Sequence, residues 1–379
     1  MSEQPQIVIT DMLNDLSCYH FSYCDDVTPD HIKNVRGVIK NNSGETICTS
    51  FKYTPDYIEK EEILNDPILN TPFKVFKSYE GTILRVFYYK EWYISTHRKI
   101  DAFKSKWSSE KSFGDIFLDI LNHTDKEEFD KWCNEHLNKD LIYSFLLSTS
   151  VDNRIVCKNE NKELYCVGLH KTDGTFYLYD NSIKDDRVKT MEEVQLTDIN
   201  EIYEYANNLS YKHYTGVILI NDKGDSAKIA NKEYYSYFLL RNNSPSVIFR
   251  FIQLKYELKE SEEVLKSFTD IYDEYDFNRI HSVLEDICLN VYKKYRNRFV
   301  RKMVSIAPPE QYYIMKEIHE DFLKTKTVTS LEKVKNYIYS SPTNKLYNLY
   351  NAYVNREKVT GNGNKLPEEY KNKVFSTIF

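Results

Sequence analysis

Near residue 255 the hydrophobic pattern changes period, and this change constrains the fold more than any other feature of the sequence. From Asp30 to about Leu254, short runs of β-branched and aromatic residues alternate with turn residues, as strands do. Residues 35–39 and 46–51 flank Asn41-Asn42-Ser43-Gly44, which predicts a hairpin around a glycine-containing turn. Further strands are predicted at 73–76, 82–89, 92–96, 143–148, 154–157, 163–170, 175–179, 214–220, 226–229 and 246–253. One helical interruption falls between 113 and 137, where Ile116, Phe117, Ile120, Leu121, Phe129, Trp132 and Cys133 recur at helical spacing. A second helix is predicted at 194–208.

Beyond 255 the period becomes helical, at 260–272, 277–304, 310–324, 329–339 and 344–354. Pro308-Pro309-Glu310 has the composition of a helix start, and Thr329 with Glu332 that of a capping box. Residues 361–365 read as a Gly/Asn-rich loop. The predicted class is α+β: a mainly antiparallel-sheet body over 1–254, then an all-helical C-terminal domain over 255–379.

Composition narrows the class. With 41% hydrophobic residues, 32 Tyr and 20 Phe, the chain has the wrong bias for disorder, and only 10 Gly and 10 Pro exclude collagen-like repeats. The 51 Lys+Arg against 57 Asp+Glu give a net charge of −6, which disfavours a protein that coats nucleic acid with its whole surface. A local basic groove stays compatible with that balance. Seven cysteines (Cys18, Cys24, Cys48, Cys133, Cys157, Cys166 and Cys288) show no CxxC spacing, so free thiols are expected rather than disulfides or a zinc ribbon. No apolar run approaches the ~20 residues of a membrane span, and no secretory signal is visible. A soluble intracellular protein is the expectation.

Chemistry-bearing residues occur in a particular order. Arg36-Gly37 opens the first hairpin and Lys52 follows it. Then come Lys77-Ser78-Tyr79-Glu80-Gly81-Thr82, Thr96-His97-Arg98-Lys99, residues 143–147 with Asn153-Arg154-Ile155-Val156, Thr215-Gly216-Val217-Ile218, and Lys228-Ile229-Ala230.

This order resembles the covalent nucleotidyltransferases (the ATP-grasp-like fold of RNA and DNA ligases), and within them the phage-type RNA-repair ligases, with the look of divergent relatives encoded by large DNA viruses. The resemblance implies ATP and Mg²⁺ as cofactors and a lysine amine that attacks the α-phosphate of ATP. It implies Lys77 and Glu80 as catalytic residues, with Arg36, Lys52, Gly81, Arg98, Arg154 and Lys228 around the nucleotide. RNA is the implied partner, other viral proteins are further candidates, and host cytoplasm or virion is the implied location, without a membrane.

The motifs also depart from the family. Ser78, not lysine, lies two residues before Glu80, and Lys77 would point to the opposite face of a regular strand. Leu146 and Thr215 stand where the family carries acids, and Ala230 where it carries a second lysine, with Lys232 nearby. Two functions follow. One is adenylylation of RNA ends through Lys77; the other is a catalytically degenerate homologue that binds RNA or serves as a structural or packaged viral protein. Guanylyl transfer fits less well, because the early Arg-Gly hairpin is a ligase feature.

Outside the motifs, Lys293, Lys294, Arg296, Arg298, Arg301 and Lys302 concentrate positive charge between 291 and 304 with no acid among them. This stretch reads as a solvated helix face or as a contact for RNA phosphates. The tyrosines at 234, 235 and 237 read as strand residues, and the acids from Asp270 to Asp276 lack the spacing of a calcium loop.

Overall fold

The computed structural model describes residues 5–25, 27–148 and 153–360. The stretch 361–365, read above as a loop, lies outside them. Contacts divide the chain into two units, Met1–Pro245 and Ser246–Phe379. The fold is α+β, with the sheets in the first unit and a helical second unit.

In chain order the strands are β1 (Ile7–Leu13), β2 (Leu16–Phe21), β3 (Arg36–Asn41), β4 (Thr46–Cys48), β5 (Asp56–Tyr57) and β6 (Phe73–Ser78). They continue with β7 (Thr82–Tyr89), β8 (Glu91–Ser95), β9 (Ile142–Ser148), β10 (Glu163–His170), β11 (Phe176–Leu178) and β12 (Val188–Thr190). The last are β13 (Glu193–Val194), β14 (Gly216–Asn221) and β15 (Ser226–Ala230). Three sheets result: β1-β2-β3-β4; β11-β10-β9-β7-β8 with β12 beside β10; and β13-β6-β14-β15-β5. Pairing is antiparallel except for β10 with β12 and β15 with β5.

Strand parity explains how the layers pack. On the second sheet Leu84, Val86, Phe145, Leu147 and Cys166 face the helices Phe113–Ile120 and Lys126–His136, where Phe117, Phe129 and Trp132 complete a core. On the third sheet Val75, Val217, Leu219 and Ile229 face Ile202 and Ala206 of the helix Ile199–Asn208. The alternate residues of both sheets, Phe76, Leu146, Tyr165, Val167 and Ile220, meet each other with Phe51 and Phe176. Period 2 thus gives the inner strands of these two sheets one face toward a helix and one toward the other sheet, while Phe87 and Ile142 at the far ends of β7 and β9 pack with Leu16, Cys18 and Ile39 of the first sheet.

The second unit has its own core, with Phe251, Phe268, Leu284, Ile287, Val291, Ile314, Met315, Ile318, Val334, Ile338 and Leu346 buried. Its longer helices are Glu262–Ile271, Phe277–Tyr295, Pro309–Thr325, Leu331–Tyr339 and Thr343–Thr360.

Several local expectations are corrected. Residues 246–253 form the helix Val247–Ile252, with Ser246 Oγ accepting from the Phe249 amide at 3.1 Å. An unbroken apolar run has no period to separate strand from helix, and the cap decides it. Tyr234, Tyr235 and Tyr237 lie on the helix Lys232–Arg241, capped by Asn231 at 2.8 Å from the Tyr234 amide. Residues 154–157 join no sheet; their amides turn to a carboxylate described below. The long helix from Phe277 ends at Tyr295 and passes into a π-helical turn, Arg296–Val300. Ser330, rather than Thr329, caps the helix Leu331–Tyr339, because Thr329 Oγ1 is bonded to the Tyr295 hydroxyl at 3.1 Å.

Candidate functional site

Where the second and third sheets diverge, two chambers of about 630 and about 270 Å³ share Arg36, Thr54, Asp56, Ile83 and His97. The outer chamber has a mixed wall, with His20, Arg98, Lys106 and Glu80 beside Phe21, Ile83 and Trp107. The inner one is mainly apolar, lined by Phe51, Tyr79, Leu146, Val167, Met191 and Ile218, with Ser78 and Lys228 as its polar edge. Tyr79 stacks on Tyr165 at 4.4 Å between ring centroids, which fixes one wall.

Arg36 is set in the shared wall by its neighbour. Gly37 has φ +76°, and a Cβ there would stand 2.7 Å from both Cα and O of His97. Only glycine lets β3 approach the turn after β8 this closely. Arg85, fully buried on β7, clamps the two segments together: its guanidinium donates to the carbonyls of Gly37 and, at 2.6 Å, of Thr96. A single cation inside the apolar strand TILRVFYY is a signal that the motif order does not use.

Two histidines belong to the same wall. His20 Nδ1 donates to the Phe21 carbonyl at 2.7 Å, and His97 Nε2 bonds Ser50 Oγ at 2.9 Å. Burial, with Arg98, Arg36 and Arg85 close by, pushes His20 down to about 4. Burial and then Arg36, Arg85, His20 and Arg98 hold His97 well below its ordinary value. Both imidazoles are neutral at pH 7, and the positive charge of the outer chamber comes from Arg36, Arg98 and Lys106.

Glu80 lines the outer chamber, yet its carboxylate is fully occupied. It accepts from the amides of Ile155, Val156 at 2.8 Å and Cys157 at 3.2 Å, and from the Tyr234 hydroxyl at 3.1 Å. Burial pushes its pKa up, while these four donors pull it back. Glu80 thereby fixes the 153–157 segment as a loop. Gly81 beside it is required by close packing, since a Cβ would stand 2.4 Å from the Leu147 carbonyl oxygen.

Lys77 lines neither chamber. On β6, Phe76 faces the opposing sheet and Val75 the helix side, so parity sends Ser78 into the inner chamber and Lys77 away from it. The Lys77 ammonium is 2.6 Å from Glu192 and lies over the Tyr214 ring, and the hydrogen bond to Glu192 raises its pKa. Ser78 Oγ instead accepts from Thr215 Oγ1 at 2.8 Å.

Of the other expected residues, Lys228 lines the inner chamber with its ammonium 3.7 Å from Asp56, and Arg98 lines the outer one. Lys52 forms a surface pair with Asp225 at 2.7 Å, and Arg154 is buried; neither lines a chamber. The structure therefore brings Arg36, Glu80, Gly81, Arg98 and Lys228 together and leaves Lys77, Lys52 and Arg154 outside. Motif order did not point to His20, Thr54, Asp56 or Arg85.

Among the described residues no group of three or more His, Cys, Asp or Glu is placed to hold a metal ion. Among the described residues Asp56 and Glu80 are the carboxylates lining the chambers, and the Glu80 oxygens already accept four hydrogen bonds. Mg²⁺ is ordinarily held by one or two carboxylates together with substrate phosphates and water, and Asp56, in the wall of both chambers, is the residue that would hold it there.

No family model matches the chain. It is similar to the immediate-early protein ICP-46 homolog of Invertebrate iridescent virus 3, 28% identical over 338 residues that cover 84% of this chain and 73% of that protein. The homolog of the same name from Invertebrate iridescent virus 6 is 28% identical over 327 residues, 79% of this chain and 70% of that one. Among solved structures, an archaeal ATP-dependent RNA ligase aligns with a TM-score of 0.43 at 12% identity, covering 74% of this chain and 76% of that chain.

Proposed function

We propose that this chain is a nucleotidyltransferase-fold protein of RNA-ligase type that binds a nucleotide or a phosphorylated RNA end without forming an adenylate on Lys77. The observation that carries this reading is the Ser78–Thr215 hydroxyl pair. Two positions that the motif order assigns to a nucleophile and an acid are adjacent, neutral and bonded to each other. Leu146, in the third such position, contributes apolar wall to the same chamber. The basic groups survive: Arg36, Arg98 and Lys228 line the apolar inner chamber and the mixed one beside it. That arrangement suits a flat base in the inner chamber and phosphate at the cations.

Lys228 is the lysine in the wall of the inner chamber, which favours it as nucleophile in a second, active reading. Both readings meet one test. The protein is incubated with α-labelled ATP or GTP and Mg²⁺ or Mn²⁺, and acid-labile label on protein is sought. None is expected. Label that disappears in Lys77→Ala overturns the proposal, and label that disappears only in Lys228→Ala establishes the second reading. Nucleotide and RNA affinity measured across a salt series checks the cleft. Arg36→Ala and Lys228→Ala are expected to weaken binding and flatten its salt dependence; unchanged affinity in both would place the ligand elsewhere.

A further inference from the structure

The helical unit carries a surface that the proposed function leaves unused. After the π-helical turn Arg296–Val300, the chain runs without regular structure until the helix Pro309–Thr325. Val300 is 60% exposed, Met303 56%, Val304 89% and Ile306 38%. Four exposed aliphatic side chains in seven residues are more than scattered surface apolarity. Around them stand Lys293, Arg296, Arg298, Arg301 and Lys302, with no acid between 291 and 304. Among the described residues, the ion pairs of this unit join other positions, such as Arg279 with Glu357, Lys335 with Glu285 and Arg356 with Glu310. Arg296 and Arg298 lie over the rings of Tyr292 and Tyr312, at 5.8 and 5.0 Å.

We infer that residues 296–306 dock on an anionic lipid surface, with Val300, Met303 and Val304 entering the acyl boundary and the surrounding cations meeting the headgroups. Charge complementarity selects a negative partner, and the aliphatic side chains select among negative partners. RNA would engage the cations but would leave Val304 and Met303 in water, since unpaired bases stack on flat aromatic faces. The aromatic of the segment itself and its buried neighbour are already committed. Phe299 stacks on His319 at 4.0 Å, and Tyr295 is buried. A bilayer interface takes both classes of side chain at once, each cation near an anionic surface adding to the attraction. The contact is peripheral, because no helix among the described residues is long and apolar enough to cross a membrane.

The test is flotation of the full chain with vesicles of phosphatidylcholine alone and of phosphatidylcholine with phosphatidylserine, at low and high salt. Binding to the serine-containing vesicles only, lost at high salt, is expected. Val304→Asp and the double variant Arg301→Glu/Lys302→Glu are each expected to weaken it by at least about tenfold. These positions are exposed, and circular dichroism of each variant confirms that the fold is kept. Absent binding to serine-containing vesicles overturns the inference, as does binding that Val304→Asp leaves unchanged. A single-stranded RNA oligonucleotide is titrated in parallel. RNA affinity that falls in the double variant, with vesicles ignored, makes the surface an RNA contact and overturns it too.

Discussion

Ser78 and Thr215 share a hydrogen bond of 2.8 Å at the edge of the inner chamber, while the nearest lysine in sequence, Lys77, is drawn to Glu192 on the other face of the same strand. Lys77→Ala is therefore expected to leave ligand affinity unchanged and to alter stability by at most about 1 kcal/mol, the usual worth of a partly exposed ion pair. Calorimetric titration and urea unfolding check both. Glu80 is the reverse case. The residue is 8% exposed, and its carboxylate accepts from three successive amides and the Tyr234 hydroxyl. Glu80→Ala strands those donors and is expected to cost about 3 kcal/mol or more, visible as a lower urea midpoint.

The histidines give a pH dependence. His20 ordinarily titrates at 6.5, and burial holds it at about 4 in the folded protein. As pH falls below 6.5 the unfolded chain takes up a proton that the folded one refuses. The stability is thus present above 6.5 and lost progressively toward 4, with His20 alone accounting for about 3 kcal/mol. His97 acts in the same direction. Unfolding free energy measured between pH 7.5 and 4.5 should fall, and His20→Asn should flatten that fall.

At the scale of elements, legibility followed local pattern. The strand carrying Ile39 alternates, whereas those carrying Val86, Leu147 and Leu219 are apolar on both faces, and runs of β-branched and aromatic residues bounded by turns sufficed to find them. That signal did not suffice for 246–253, where every residue from Val247 to Phe249 is apolar and a serine cap selects the helix. Nor did it for 154–157, whose β-branched residues sit in a loop because Glu80, distant in sequence, takes their amides. The contact between β3 and the turn after β8 also escaped pattern reading, although its necessary glycine did not. Gly37→Ala would force a Cβ to within 2.7 Å of the His97 backbone at positive φ. It is expected to destabilise by about 2 kcal/mol and to weaken nucleotide binding by displacing Arg36. Denaturation and titration of one variant read both effects.

For the whole molecule, each unit carries its own buried core, which is the condition for independent folding. A fragment ending at Pro245 is expected to unfold cooperatively and to bind nucleotide like the full chain. Circular dichroism melting and calorimetry measure this, and an unfolded fragment would show that the cleft depends on the helical unit.

The sequence by itself determined the class and much of the element order, because hydrophobic period and turn residues are local properties that need no partner. Pattern reading missed the strands Ile7–Leu13 and Leu16–Phe21 and the helices Lys232–Arg241 and Val247–Ile252. The sequence also determined that Ser78, Leu146 and Thr215 carry no charge, since identity is written in the chain. Only the tertiary structure decided which surviving residues share a site. Arg36, Arg98 and Lys228 come from three separated segments and converge, while Lys77, one residue from the chamber, is excluded by the face it occupies. Convergence depends on sheet packing and strand parity, and a side chain one position out of phase points into a different layer.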